Sequence, residues 1–340
     1  MPPTDPPSPL LGALAGVGTS ILWTFTALFF AAAARRISPA RVNASRLLVA
    51  VALHLTTFHL MTGAWWPAMP ASQLFALAGS GIIGLAICDQ ALLQSFADIG
   101  PRRAILVMTT SPLFAVAFGI AFLSERPTLI AHLGIAMTLG GVAWVILERP
   151  PAEKLAAAAP EAGAESPAST LPLPPPAPEN PHFRRGVILA IIAAAAQAAG
   201  FLLSKMGMGH GAEDAVKLDP QSATLVRMAF GTLGVMPILA IDEWRRWRIS
   251  RKNAAVPGQA ALAYTLSACG AVTGPYLGVW LSLVAINAVS LGVAQTLCSL
   301  QPVLILPFAA WMLKEKVSWR AILGAAVAVA GSAILFLGGG

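Results

Sequence analysis

Long apolar runs dominate this chain, each about the length that crosses a hydrocarbon core, with short basic or turn-forming stretches between them. The period-2 alternation of short strands that would mark a barrel is missing from the pattern. The runs predict ten helices, approximately 10–32, 43–63, 73–96, 103–124, 129–147, 186–204, 222–241, 260–285, 290–313 and 319–337. Between the fifth and sixth the pattern stops at "ERPPAEKLAAAAPEAGAESPASTLPLPPPAPENPHFRR". This segment is rich in Pro, Ala and Glu with few large apolar residues, so it cannot bury a core and reads as an extended or disordered linker. The division is a first five-helix repeat over 1–148, a linker over 149–185 and a second five-helix repeat over 186–340.

The two halves read as one pattern written twice. Shifted by 190 positions, residues 99–147 lie on 289–337 without a gap: Pro112 meets Pro302, Phe118 meets Phe308, Glu125 meets Glu315, Gly134 meets Gly324 and Gly141 meets Gly331. The third and eighth runs match at the same shift, Gly84 on Gly274. The second and seventh match at another, with Arg46 and Arg227 each one turn into a helix. An odd number of spans per repeat makes the second half enter the membrane from the other side. The expected fold is therefore an all-α polytopic membrane protein of ten transmembrane helices in a 5+5 inverted repeat. In secondary transporters this architecture puts the substrate near the midplane. Duplication without a transport role is the alternative.

The segments "SPLFAVAFGIAFLSERPTLIAHLGIAMTLGGVAWVIL" and "QPVLILPFAAWMLKEKVSWRAILGAAVAVAGSAILFL" each resemble the final span pair of the EamA family of the drug/metabolite transporter superfamily. "VNASR" and "GPYLGVWLSL" resemble a subset of it. The resemblance covers both halves and excludes the linker, whose length departs from the family's compact form. It implies ten helices, a central cavity, and export or exchange of small polar metabolites such as amino acids, nucleosides or drugs.

Composition agrees: 56% of residues are hydrophobic, 11% are charged and the mean hydropathy is +0.72, where a soluble domain is about a quarter charged. The net charge of +7 sits in short loops, so it argues for membrane orientation and not for nucleic-acid binding. The basic loops place both termini outside, whereas the resemblance implies termini in the cytoplasm, and the two stay opposed. "MPPTDPPSPL" lacks the basic start of a secretory signal. Cys88, Cys269 and Cys298 are expected to be reduced and buried.

Candidate chemistry is sparse. Asp89 lies in the membrane-grade run "LAICDQALLQSF", roughly two turns inside the third span, where an isolated carboxylate is expensive. Arg46 enters from the same face and is its natural partner. Burial and a neighbouring cation act in opposite senses on a carboxyl's proton affinity, so Asp89 is a candidate for proton coupling. The alternative is a structural clamp. Pro112 and Pro302, near the middles of their spans, free the carbonyls of Met108 and Cys298 as ligands or hinges, or are packing kinks. Gly270, Gly274 and Gly278 form a smooth face about Pro275, which breaks the eighth span. Tyr276, Trp280 and Trp23 are aromatic candidates for a substrate wall or for packing. Gln295 and Gln301 fall on opposed faces, leaving Gln301 as the cavity candidate. Lys205 is expected to snorkel, and His54 and His59 to be packed polar groups.

No phosphate-binding loop, metal-ligand spacing or nucleophile–base pair points to an enzyme or a cofactor. The expected partners are a small-molecule substrate and the lipid bilayer and not nucleic acid, with a homodimer compatible. The expected setting is the plasma (inner) membrane. A non-transporting sensor or assembly subunit on the same fold, and a lipid-carrier flippase, are the competing readings.

Overall fold

The computed structural model describes residues 8–34, 36–99, 104, 107–147, 182–211, 215–249, 257–301, 303–304 and 319–338. The linker, Pro302, Phe308 and Glu315 lie outside these residues. Helix α1 is Pro9–Ala34 and α2 Pro39–Thr62; α3, Ala71–Gly81, passes through a π-helical turn, Ile82–Ile87, into α4, Cys88–Ile99. Ser111–Leu123 and Leu129–Leu147 form α5 and α6. After the linker come α7, Phe183–Gly207, and α8, Pro220–Ile249. Helix α9, Pro257–Ala271, passes through a second π-helical stretch, Val272–Gly278, into α10, Val279–Ala288. Helices α11, Leu291–Cys298, and α12, Trp319–Gly338, complete the order.

Among the described residues, six helical stretches are long and apolar enough to cross a membrane: Pro9–Thr26, Pro39–Thr62, Ala71–Ser95, Phe183–Gly207, Pro220–Arg245 and Ala260–Ala288. Ser111–Leu123, Leu129–Trp144 and Ile322–Ile334 are apolar but shorter. Ser111–Leu123, at 13 residues, rises only about 20 Å, so it spans nothing alone. The protein is an all-helical, multi-pass integral membrane protein in the two-repeat layout.

The 190-residue shift recurs in the geometry. The π-helical stretches start at Ile82 and Val272, 190 apart. Each π turn fits one extra residue into a transmembrane helix, a feature often found at functional sites. Thr110 N–H donates to Val107 O and Leu113 N–H to Thr110 O; Leu300 N–H donates to Leu297 O and Val303 N–H to Leu300 O, the same pattern 190 residues on. Both places interrupt a helix. Pro112 accordingly is not a mid-helix kink: the helix pauses at Thr109–Thr110, and Pro112 sits in the first turn of α5, where its missing N–H has no intrahelical partner to lose.

Packing exchanges elements between the halves. Helix α1 packs on α9, α10, α11 and the second π stretch, while α7 packs on α3, α4, α5 and the first. Helix α2 packs on α8, and α6 on α12. At the α6–α12 crossing, a Cβ on Gly141 would meet Gly324 O at 2.5 Å, and one on Gly331 would meet Thr138 N at 2.5 Å and Gly134 O at 2.8 Å. Since 134 and 324, and 141 and 331, are the residues matched by sequence, the two sides of this crossing exchange under the shift.

Candidate functional site

Helix α2 starts cleanly because Ser38 caps it, accepting a hydrogen bond from Arg41 N–H at 3.3 Å, with Pro39 in its first turn. That fixes Arg46 about two turns in. Asp89 opens α4 directly behind the first π turn and lies ten residues from the helix end at Ile99, about 15 Å of rise and deeper than the apolar run suggests. Arg46 and Asp89 meet: Nη2 donates to Asp89 Oδ2. Arg46 Nε donates to Asn43 Oδ1 at 2.9 Å, and its guanidinium lies 5.2 Å from the Phe30 ring centroid. The Arg46 and Asp89 side chains are 13% and 23% exposed, so the pair is reachable and not sealed.

The matched arginine of the second half is placed differently. Arg227 is 2% exposed and lies 5.2 Å over the ring of Phe201, as Arg46 does over Phe30. Its Nη1 donates to Ser204 Oγ at 3.1 Å, and that hydroxyl shares a 2.6 Å hydrogen bond with Ser80. A Cβ on Gly84 would lie 2.7 Å from Arg227 Nη2 and 3.2 Å from Gly200 Cα. Only glycine lets α3–α4, α7 and this guanidinium share the space. Its Nε has no partner among the described residues.

About two turns further along α2, His54 is fully buried. Its Nε2 lies 3.4 Å from Pro275 O, and Gln221 Nε2 lies 3.2 Å from its Nδ1. Tyr276 packs edge-on to His54 at 4.8 Å and shares a 2.6 Å hydrogen bond with Thr57. Pro275 does not break the eighth span; the π stretch absorbs it and the helix continues. The Gly270, Gly274 and Gly278 face lies against α1, where Cβ atoms would collide with Phe30, Thr26 and Trp23 in turn. Trp23 thus fills the notch at Gly278. Trp280 and Gln301 are half-buried, while Gln295 is sealed, donating to Ser111 Oγ at 3.2 Å.

At the face where α1 begins, a cavity of about 320 Å³ opens between the halves, with Glu125, Lys205, His210 and Asn287 in its lining. Lys205 does not snorkel. It is 6% exposed and donates to Glu125 Oε1 at 2.6 Å and to Val289 O at 2.7 Å. Glu125 also caps α11, accepting from Leu291 N–H at 2.9 Å and so meeting the positive end of that helix. His210 lies 2.8 Å from Asn287 Oδ1, and burial holds its imidazole below the ordinary value of 6.5. The matched Glu125 was visible in the sequence as a turn residue; its reach to Lys205, 80 positions away, carried no local signal. Of the cysteines, Cys88 and Cys298 are buried and Cys269 is exposed, correcting the expectation for the third.

The EamA-like transporter family pattern matches residues 10–147 and 184–337, leaving out the linker and the extreme termini. The chain belongs to the EamA-like transporter family. Both EamA-like repeats therefore cover the helices that carry Arg46, Asp89 and Arg227. No curated protein matches the chain. A solved crystal structure shares the fold at a TM-score of 0.66 and 18% identity, over 96% of each chain.

Proposed function

We propose that this EamA-like chain is a secondary transporter that exports or exchanges a small polar or amphipathic metabolite by alternating access. Its ten spans form a 5+5 inverted repeat in the plasma membrane, the repeats being 1–148 and 186–340. The observation that carries the reading is the exchange of contacts under the 190-residue shift. Helices α6 and α12 run in opposite directions and swap partners at their crossing. A two-fold operation that reverses helix direction has its axis in the membrane plane, the symmetry from which alternating access follows.

On this reading the Arg46–Asp89 pair is the coupling site. It is a partly exposed ion pair within the bundle, beside a π turn, and it joins the second and third spans of one half. A proton on Asp89 releases Arg46 for the substrate, so proton binding and substrate binding are coupled at one site. Convergent polar groups on helices of both halves, His54, Gln221, Tyr276 and Thr57 among them, favour transport over the non-transporting scaffold, which needs no such convergence. The test compares metabolites in the medium of cells with and without the protein. The expected result is a small set of metabolites whose external level follows expression and collapses with Asp89→Asn; a medium that does not change with expression overturns the reading.

A further inference from the structure

We propose that the substrate is a small organic anion, a carboxylate on an apolar body, held by the Arg46 and Arg227 guanidinium groups; this rests on the transport reading and names its substrate class. Among the described residues, the apolar interior away from the two faces carries two guanidinium groups, Arg46 and Arg227, and one carboxylate, Asp89. Lys205 and Glu125 neutralise each other near one face. These described residues therefore hold one positive charge in excess, and a buried charge without a counter-charge is costly.

Among the described residues the buried polar atoms without a partner include acceptors, Gln73, Gln90 and Gln295 Oε1, but the two at the arginines are donors. Asn43 must present Oδ1 to Arg46 Nε, which fixes its amide orientation and leaves Nδ2 as a buried donor without an acceptor. Arg227 Nε is a second such donor. Arg227 has a hydroxyl and a ring as partners where a guanidinium ordinarily meets a carboxylate or phosphate. Its Nη2 abuts Gly84, and Asp89 follows Gly84 by five residues, about 7 Å of helix rise. The two arginines thus flank one stretch of α3–α4, with Asp89 already satisfied by Arg46. Phe30, half-buried and 5.2 Å from the Arg46 guanidinium, supplies apolar surface that would take the body of the anion. At the two arginines an amine finds more cation than anion, and donors where it needs acceptors.

The test is equilibrium binding of radiolabelled benzoate and benzylamine to the full chain in nanodiscs. Benzoate is expected to bind, with affinity at least tenfold weaker in Arg227→Gln and retained in Arg227→Lys. Asp89→Asn removes the competing negative charge and is expected to tighten benzoate, a gain that a merely destabilised fold would not give. Preferential binding of benzylamine, benzoate binding indifferent to Arg227→Gln and Asp89→Asn, or no benzoate binding would overturn the proposal. Benzoate binding in a protein that changes no metabolite in the medium would keep the anion site and sink the transport reading. An exported amine in place of an anion would keep transport and sink the anion site.

Discussion

At the scale of single residues, what matters is whether a buried charge has found its partner. Glu125 and Lys205 have, and removing one partner strands the other. Glu125→Gln is expected to lower stability by about 3–5 kcal/mol, Lys205→Met by a similar amount, and the double variant Glu125→Leu/Lys205→Met by much less, as measured by thermal unfolding in one detergent. His210 gives a pH signature. Burial holds its folded-state proton affinity below that of the unfolded chain, so its stabilising contribution is complete above pH 6.5 and is lost as pH falls toward the folded value. Wild type should lose stability as pH falls below about 6.5 that His210→Gln, which can still donate to Asn287, does not lose; parallel profiles would contradict this. The Arg46–Asp89 contact was legible from sequence because helix direction puts both residues on one face. The Lys205–Glu125 contact was not, since snorkelling is the default for a lysine at a helix end and only the tertiary meeting of α5, α7 and α11 offers a better partner.

At the scale of elements, glycines set how closely helices cross. Gly141 and Gly331 occupy mirrored places at the α6–α12 crossing, where a Cβ would strike backbone atoms that cannot rotate away. Gly141→Ala and Gly331→Ala should each cost about 1–3 kcal/mol, and by similar amounts. Gly140→Ala, whose Cβ meets nothing within 4 Å, should be neutral or slightly stabilising. Equal stabilities for all three would show that the crossing is not tight. The glycine and proline pattern made these crossings readable, since small residues and punctuation repeat with the fold. The π turns were not readable: the extra residue at Ile82–Ile87 and Val272–Gly278 belongs to how the third and eighth spans meet their neighbours, and Gly84 and Gly274 are its sole local trace. For the same reason Pro112 read as a kink when it starts a helix; a proline looks alike in sequence in both roles.

At the scale of the whole molecule the halves are interlocked, with α1 seated on α9–α11 and α7 on α3–α5. Residues 1–148 and 186–340 expressed as separate chains should each fail to fold alone and should recover a folded complex when co-expressed, read by monodispersity in size-exclusion chromatography. A half that is monodisperse alone would contradict the interlocking. In the proposed mechanism Asp89 couples transport to protons. This coupling is tested most directly by measuring flux of the exported metabolite in proteoliposomes under an imposed pH gradient, wild type against Asp89→Asn. The account predicts that the gradient drives wild-type flux, whereas Asp89→Asn remains folded and exchanges substrate without responding to the gradient. An Asp89→Asn protein whose flux follows the gradient as wild type does would contradict it.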